Sequence, residues 1–517
     1  MNKRVSFSQT HYDLIVIGGG ITGAGILLEA AKQGLKALLV EQRDFAWGTS
    51  SRSSKMVHGG LRYLASGDFK LTRDAVRERR KLLNEAPGLV DKLHFVMPHY
   101  RGGFPGPKLF SKVLGVYDFL AGQQDHEFYP ASQTELWVSG LEQKNLLGIT
   151  RFADAVVDDA RLVLRVLHEA RLQGAEAYNY VKAVAYRNTQ HPELELEDVE
   201  TGERFVLQAK VVINATGAWT DNLRQQLGKK AVIRPLRGSH LMVPFWRLPM
   251  AASLSFQHPE DKRPVFVFPW EGITVIGTTD LDHSHSLNQE ARISSAEIDY
   301  LLNAINFALP KVKLTRDDIQ ASIAGVRPVV AGSKKDPSKE RREHAIWNDN
   351  GLISVAGGKL TTFRLIAQDV LNTAKPYLPK GLLKAQRSND APLFITPKLA
   401  KPAQLDHASW QRLLGRYGGQ VNAVAQAGMH KVASSNTLWG ELVWALNNEA
   451  VVHLDDLLLR RTRLGVLLAN GAAELQQPLQ VLCQEALGWS NEQFAQEWQR
   501  YLDIWQNSYA IKSERHD

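Results

Sequence analysis

A glycine-rich turn between a buried strand and a helix constrains the fold of this chain more than any other feature. The run Asp13-Leu-Ile-Val-Ile-Gly18 is almost continuously apolar, as a parallel strand buried on both faces requires. Gly18 permits the turn, Gly20 lets the backbone approach a pyrophosphate, and Gly23 lets the helix pack closely on the strand. Glu41 ends the next apolar run, where a carboxylate can accept hydrogen bonds from an adenosine ribose. These residues predict a Rossmann βαβ unit that binds a dinucleotide.

Two later turns indicate that the dinucleotide is FAD rather than NAD. An apolar strand over residues 210–214 runs into Ala215-Thr216-Gly217, a second turn of small residues. Gly357 and Gly358 close another strand directly before a helix that opens at Lys359. The positive end of such a helix would stabilise the anionic reduced flavin ring. An ordinary strand-to-helix turn is the alternative for this glycine pair.

The segment between Thr49 and Tyr63 reads TSSRSSKMVHGGLRY and mixes hydroxyls, cations and glycines. Its serines can bond phosphate oxygens, whereas on a surface the same segment would be an ordinary polar loop. The residues predicted to contact FAD are Gly18, Gly20, Ile21, Thr22, Gly23, Glu41, Thr49, Ser50, Ser51, Lys55, His58, Gly59, Ala183, Ala215, Thr216, Gly217, Gly358, Lys359, Leu360 and Thr361. For Ala183, the predicted contact with the adenine of FAD rests only on the position of the residue in a predicted strand.

Length and composition bound the remaining possibilities. The 517 residues exceed one ordinary core, so two or three domains are expected. Cys483 is the single cysteine, which excludes an internal disulfide and a multi-cysteine metal site, favours a reducing compartment, and leaves no metal predicted. The formal charge of +8 suits either solubility or anionic partners. Because its cations are scattered, we predict no binding of nucleic acid, and no apolar run has the length of a signal peptide or a membrane span.

The order of the segments predicts a mixed α/β and α+β chain of three domains. Residues 1–90, 150–225 and 340–391 are expected to form a discontinuous Rossmann-type domain that binds FAD. Residues 91–149 and 226–339 are expected to form an antiparallel-β domain for the substrate. Residues 392–517 have helical periodicity and few glycine turns, and they predict a helical C-terminal domain.

Motifs along nearly the whole chain make the sequence similar to one family. They are DLIVIGGGITGAGI, HGGLRYL, VDDARLV, NATG-x-W, RGSH-x-x-VP, VFVFPW, IGTTD, GVRP, GGKLTT and RRT. In this order they resemble the aerobic, FAD-dependent sn-glycerol-3-phosphate dehydrogenases, which share their fold with D-amino-acid oxidase and glutathione reductase. The resemblance implies oxidation of glycerol 3-phosphate to dihydroxyacetone phosphate, with hydride transfer from C2 to the flavin. No physical account of the RRT motif is available from the sequence.

The resemblance also places candidate residues on its motifs. His240 in RGSH is the expected base, with His58 as its competitor, and Arg327 in GVRP is expected to polarise the developing carbonyl. A phosphorylated substrate needs several cations and hydroxyls, because arginine forks match phosphate oxygens. The residues expected to bind the substrate are Arg62, Tyr63, Arg342, Lys359 and Thr361.

Residues 107–121 predict an amphipathic helix with Leu109, Phe110, Val113, Leu114, Val116, Tyr117 and Leu120 largely on one face, away from Lys108, Lys112 and Asp118. A core helix and an interfacial helix fit this pattern equally. The family is monotopic and passes electrons to membrane quinone. The resemblance therefore implies a peripheral enzyme on the cytoplasmic face of the bacterial inner membrane, with ubiquinone or menaquinone as acceptor, and it leaves a homodimer open. The alternatives are an oxidase that uses oxygen, a related amine oxidase, and a non-catalytic flavin-binding membrane scaffold or sensor.

Overall fold

The computed structural model describes residues 5–61, 64, 67–189, 191–331, 343–349, 351–379, 392–395 and 397–511. Arg62, Tyr63 and Arg342 lie outside the described residues. The strands are β1 (His11–Ile17), β2 (Ala37–Glu41), β3 (Met56–Val57), β4 (Val90–Tyr100), β5 (Glu127–Pro130), β6 (Leu146–Val157), β7 (Glu176–Asn179), β8 (Val181–Arg187), β9 (Glu193–Asp198), β10 (Arg204–Asn214), β11 (Ile233–Pro244), β12 (Ser253–Gln257), β13 (Pro264–Trp270), β14 (Ile273–Gly277), β15 (Leu281–Asp282), β16 (Ala321–Val330), β17 (Ala345–Asp349) and β18 (Leu352–Ala356).

The helices begin with α1 (Ile21–Lys32) and end with α13 (Asn491–Ser508). Between them lie α2 (Phe69–Glu85), α3 (Pro107–Ala121), α4 (Asp159–Leu172), α5 (Thr220–Gln226), α6 (Ser295–Ala308), α7 (Phe363–Ala374), α8 (His407–Tyr417), α9 (Val421–Ala427), α10 (Trp439–Asn448), α11 (Leu464–Leu467) and α12 (Gln476–Leu487). A π-helical segment, Asp456–Arg461, precedes α11.

The first sheet has a parallel core in the order β18-β10-β1-β2-β7, and β17 and β9 pair with it in the antiparallel sense. Strand β1 is buried after its first residue, and α1 packs between the sheet, α4 and α7. The mixed α/β class and the βαβ unit predicted from the glycine motif are confirmed.

The second sheet is mainly antiparallel and carries β11, β14, β13, β12, β4, β6, β15, β16, β5 and β3. Helix α6 packs on it, and a capping box between Ser294 and Glu297 sets where that helix begins. The domain boundary predicted at residue 150 falls inside β6, which pairs with β4 along almost its whole length. Residues 150–157 therefore lie in the second sheet, because long-range pairing extends this strand beyond the point where the sequence pattern changes.

The residues after 405 are mainly helical, as predicted. Their apolar side chains share one core with the second sheet, where Leu457, Leu464 and Phe494 join Phe152, Phe268 and Val275. Backbone bonds reinforce this contact, since the amide of Ser322 on β16 donates to the carbonyl of Tyr509 at 2.7 Å. The C-terminal helices thus share an apolar core with the second sheet.

Helix α3 spans the residues that the amphipathic pattern predicted, and its apolar side chains divide between two faces. Phe110, Leu114 and Tyr117 are buried, whereas Leu109 and Val116 are exposed. Asp118 does not lie on an outer face: it is buried and accepts bonds from Asp125 N and His126 Nδ1, at 3.0 and 2.7 Å. Among the described residues, no helix has the length and apolarity to cross a bilayer.

Candidate active site

The parallel strands of the first sheet bring the predicted cofactor turns to one edge. Ile17 at the end of β1 pairs with Val40 on one side and Asn214 on the other, and Asn214 pairs with Ser354. The turns that follow these strands begin at residues 18, 42, 215 and 357, so all four lie at the carboxyl edge of the sheet. In open parallel sheets this edge is where nucleotides bind.

The turn after β1 and the start of α1 are packed so closely that Gly18 and Gly23 have no room for a side chain. Gly18 has φ of +114°, and a Cβ there would lie 2.5 Å from the carbonyl oxygen of Ala215. A Cβ on Gly23 would lie 1.9 Å from the carbonyl oxygen of Gly18. Gly20 is the N-cap of α1, and Ser50 Oγ accepts a hydrogen bond from Ile21 N at 3.0 Å. The backbone therefore leaves a close-approach surface at a helix N-terminus, which fits a pyrophosphate.

Glu41 lies beside this turn and is half-buried. Its carboxylate accepts from Gly19 N at 2.7 Å and from Arg43 N at 2.9 Å. Burial raises the pKa of Glu41, and these two amide bonds oppose that shift. A carboxylate has about four acceptor sites and these bonds use two of them, so Glu41 can also accept hydrogen bonds from ribose hydroxyls.

The segment after Thr49 crosses from the first sheet to the second. Its first turn, Thr49–Ser51, contacts β16 through a hydrogen bond from Thr49 Oγ1 to Val326 O. Lys55 is buried and donates to Asp159 Oδ1 at 2.8 Å and to Ser51 O at 2.6 Å. Burial lowers the pKa of Lys55 to about 8, although Asp159 opposes the shift. Lys55 therefore links the turn at Ser51 to Asp159. Its direct contact with the cofactor stays a prediction.

The second glycine turn lies opposite this segment. Gly357 and Gly358 both have φ of +79°, and the short helix Leu360–Thr362 leads into α7 with Lys359 as its N-cap. Thr361 is buried, and its hydroxyl donates to His58 O at 3.3 Å. The helix N-terminus predicted at Lys359 is present, and it lies against the segment that carries His58 and Gly59. The amide of Gly59 donates to Asp154 at 2.9 Å.

His240 lies on β11, between Gly277 of β14 and Ile323 of β16. It is 1% exposed, and its Nε2 lies 3.0 Å from Ser54 Oγ. Ser54 belongs to residues 49–61, the segment predicted to contact FAD, which we call the cofactor segment. Its Nδ1 is buried and makes no hydrogen bond to any described residue. Burial lowers the pKa of His240 well below 6.5, and the positive charges of Arg327 and Lys55 lower it further. The imidazole is therefore neutral at pH 7 and able to accept a proton.

Arg327 lies on β16, the strand that contacts two cofactor turns. Its guanidinium donates from Nη1 to Asp280 Oδ1 at 2.8 Å and from Nη2 to Thr278 Oγ1 at 3.1 Å. The neighbouring Pro328 lies against Gly217, with 3.9 Å between its Cγ and the position of a Cβ on that glycine. The Arg327 guanidinium lies against Gly238, since a Cβ on that glycine would lie 2.1 Å from Nη2.

The structure brings most of the predicted set together and adds partners that the motifs did not assign. Ser54, Thr278 and Asp280 contact the two candidate catalytic residues. Thr278 and Asp280 lie in the IGTTD motif, which marks the family in the sequence but was not assigned a contact with the catalytic candidates. Ala183 is half-buried on β8 next to a register shift, and its contact with adenine stays a prediction.

Comparisons with known proteins agree with this geometry. Residues 13–366 match the family model described as FAD dependent oxidoreductase, and residues 388–494 match that of the C-terminal domain of alpha-glycerophosphate oxidase. An aerobic glycerol-3-phosphate dehydrogenase from Staphylococcus aureus is 34% identical over 486 residues, covering 87% of this chain and 86% of the relative.

Two solved structures are similar to the whole chain or to its larger part. The FAD complex of the glycerol-3-phosphate dehydrogenase from Bacillus halodurans has a TM-score of 0.75 at 29% identity, covering 96% of this chain and 95% of that one. The L-alpha-glycerophosphate oxidase from Mycoplasma pneumoniae, with FAD bound, has a TM-score of 0.58 at 16% identity, covering 76% and 100%. The second likeness concerns the fold alone.

The close-packed glycine turn after β1 and the family match over residues 13–366 together define an FAD-dependent oxidoreductase. Within that class, the chain belongs to the family of aerobic, FAD-dependent glycerol-3-phosphate dehydrogenases.

Proposed function

We propose that this protein oxidises sn-glycerol 3-phosphate to dihydroxyacetone phosphate, with FAD as the hydride acceptor. The observation that carries the proposal is a neutral imidazole on the second sheet, 3.0 Å from a hydroxyl of the cofactor segment. Arg327 lies on the adjacent strand, so a base and a cation share one site beside the flavin turns. The names of the relatives support the choice of substrate.

His240 would take the hydroxyl proton of the substrate at Nε2 as the hydride leaves C2. With the imidazole proton on Nδ1, Nε2 is the basic nitrogen, and the Ser54 hydroxyl has to release it before Nε2 can take the substrate proton. Arg327 would stabilise the negative charge that develops on the substrate oxygen. Asp280 and Thr278 hold its guanidinium in place, so little reorganisation is needed when that charge appears.

The phosphate of the substrate would be held by the remaining cations and hydroxyls of the family motifs. Lys359 and Thr361 lie at the helix N-terminus that faces the cofactor segment. Arg62, Tyr63 and Arg342 belong to the same proposal by sequence alone. Several positive groups around one pocket would favour a phosphate ester over an uncharged polyol.

Substrate choice is tested by mixing the FAD-loaded protein with glycerol 3-phosphate, glycerol and sarcosine in separate anaerobic samples. We expect glycerol 3-phosphate alone to remove the visible absorption of the oxidised flavin. Reduction by sarcosine alone would replace the proposal with an amine oxidase. Reduction by none of the three in folded protein would favour a flavin-binding scaffold.

We also propose a peripheral position on the cytoplasmic face of the cell membrane, with ubiquinone or menaquinone as electron acceptor. The outer face of α3 presents Phe119, which is 84% exposed, with Val116 and Leu109 beside Lys108 and Lys112. Apolar side chains bordered by lysines suit the interface of an anionic bilayer. The buried half of the same helix anchors this face to the protein.

The membrane proposal predicts that Phe119→Ser weakens binding to vesicles that contain anionic lipid. One buried phenylalanine contributes about 1.5–3 kcal/mol, so the bound fraction at limiting lipid should fall about tenfold or more. Leu172→Ser is the matched control, because Leu172 is 57% exposed at the end of another helix, α4. Equal binding by wild type and Phe119→Ser would remove α3 from the membrane surface.

The acceptor is tested separately by reoxidising the reduced enzyme with oxygen and with a soluble quinone in rapid mixing. We expect quinone to react faster. Fast reoxidation by oxygen with release of peroxide would instead make the protein an oxidase. A homodimer and the three-domain division remain predictions of the sequence.

A further inference from the structure

The C-terminal segment Arg460-Arg461-Thr462-Arg463 inserts its arginines beneath two of the cofactor loops. Arg460 and Arg461 both bond the carboxylate of Asp44, which lies three residues after Glu41. Arg463 donates from Nη1 to Ser51 O at 3.1 Å, next to the serine that caps α1. All three arginines are buried.

The bonds to Asp44 fill its acceptor sites. Arg461 forms a two-pronged pair, with Nη1 to Oδ2 at 2.6 Å and Nη2 to Oδ1 at 2.7 Å. Arg460 Nε bonds Oδ2, and Asn179 Nδ2 donates to Oδ1 at 3.0 Å. A carboxylate has about four lone-pair sites, so Asp44 is saturated and its position is fixed.

The loop that contains Asp44 forms hydrogen bonds with both the backbone amide and the backbone carbonyl of Gly19. Glu41 accepts the hydrogen bond of Gly19 N at 2.7 Å, and Ala46 N donates to Gly19 O at 2.9 Å. Phe45 closes the same side, because a Cβ on Gly19 would lie 2.9 Å from its ring. Asp44 thus lies in the loop that bonds both the amide and the carbonyl of Gly19, so a shift of Asp44 would be passed on to the glycine turn.

We infer that Arg460, Arg461 and Arg463 are positioning residues for the adenosine diphosphate half of FAD, and that the C-terminal region thereby sets cofactor affinity. The inference rests on the proposed cofactor contacts of Glu41 and the glycine turn, and it is independent of substrate and acceptor. It gives the RRT motif a role, since its two arginines supply the guanidinium groups that bond the carboxylate of Asp44.

The test compares Arg461→Lys with Arg412→Lys, using apoprotein and two probes, FAD and ADP. Lysine keeps the charge and loses the two-pronged geometry. Arg412 is a matched control, because it joins Glu441 in the C-terminal region to Glu271 without touching the cofactor loops. Arg461→Lys should raise the Kd for FAD and for ADP by the same factor, about tenfold, as expected for one lost charge-assisted bond. Arg412→Lys should leave both values within about twofold.

The thermal midpoint of the apoprotein separates positioning from a general loss of stability. Unchanged Kd values for ADP and FAD with a lowered apoprotein midpoint would overturn the inference and leave the arginines as a tie between domains. If Arg461→Lys does not fold, Asn179→Ala removes one bond to Asp44 and should raise both Kd values by a smaller, equal factor. Glu41→Gln serves as the reference: if it leaves ADP affinity unchanged, the proposed cofactor site fails, whatever the arginines do.

Discussion

Among single residues, His240 is the one on which the proposed chemistry depends most. Its imidazole lies between strands of the second sheet, and its Nε2 faces Ser54. Burial and two nearby cations keep it uncharged at neutral pH. A buried histidine could be purely structural, so its role has to be separated from its contribution to folding.

His240→Ala should lower the rate of flavin reduction by glycerol 3-phosphate by roughly 10²–10⁴, as the loss of a general base does. Rapid mixing under anaerobic conditions measures this rate, and the FAD content of the variant controls for folding. Ile323→Val on the adjacent strand is a matched core substitution that should leave the rate near that of wild type. Unchanged reduction in His240→Ala would assign the proton to another group.

The pH dependence of the same rate follows from the lowered pKa of His240. A base with a lowered pKa stays deprotonated until the pH falls below that value, so its activity is present above the pKa and lost beneath it. The reduction rate at limiting substrate should therefore hold steady as the pH falls through 6.5 and decline only at more acid values. A midpoint at or above 6.5 would contradict the environment described for His240.

At the element scale, the turn after β1 depends on contacts that a single methyl group would break. Gly23→Ala places a Cβ 1.9 Å from Gly18 O, so helix α1 must move away from β1. Overpacking of this kind costs about 1–3 kcal/mol, which corresponds to a rise in the Kd for FAD of about 5- to 150-fold. Titration of apoprotein with FAD measures the change.

Gly419→Ala is the control for that substitution, because a Cβ at Gly419 meets nothing within 4 Å. Its FAD affinity should equal that of wild type. If Gly23→Ala also binds FAD as tightly as wild type, close packing of α1 on the turn is not what shapes the cofactor site.

The elements also show how far the sequence could predict the structure. Strand β1, helix α1 and the capping box at Ser294 were predictable, because their signals are local. The extent of β6 and the burial of Asp118 were not, because both depend on partners distant in the chain. Asp280, which follows β14, likewise reaches Arg327 only because β11 pairs with both β14 and β16. The roles of His240 and Arg327 came from family motifs, since no local pattern marks a base.

At the scale of the whole molecule, buried ion pairs connect the C-terminal helices to both sheets. Asp158 accepts from Arg463 Nε at 3.0 Å and from Arg416 Nη1 at 3.1 Å, and Asp44 binds Arg460 and Arg461. Burial alone would raise the pKa values of both aspartates, but the arginines outweigh it and lower them. A lowered folded pKa stabilises the fold above the unfolded value and loses that contribution as the pH falls.

Stability should therefore decrease as the pH falls below about 4, the ordinary pKa of aspartate. Asp158→Asn should lower stability at pH 7 by about 3–5 kcal/mol, since it leaves two buried arginines short of a partner. The same variant should lose less than wild type between pH 4 and pH 2. Denaturant unfolding of the apoprotein measures this, with the exposed Asp503→Asn as control. Parallel pH profiles for wild type and Asp158→Asn would contradict the network.

We propose that one site joins the turns predicted to hold the flavin to a base and a cation that act on glycerol 3-phosphate. The most direct measurement is the visible spectrum of FAD-loaded protein mixed with glycerol 3-phosphate in the absence of oxygen. We expect the absorption band of the oxidised flavin to disappear in wild type and to persist far longer in His240→Ala. A folded, FAD-loaded wild-type protein whose flavin stays oxidised in excess glycerol 3-phosphate would contradict it.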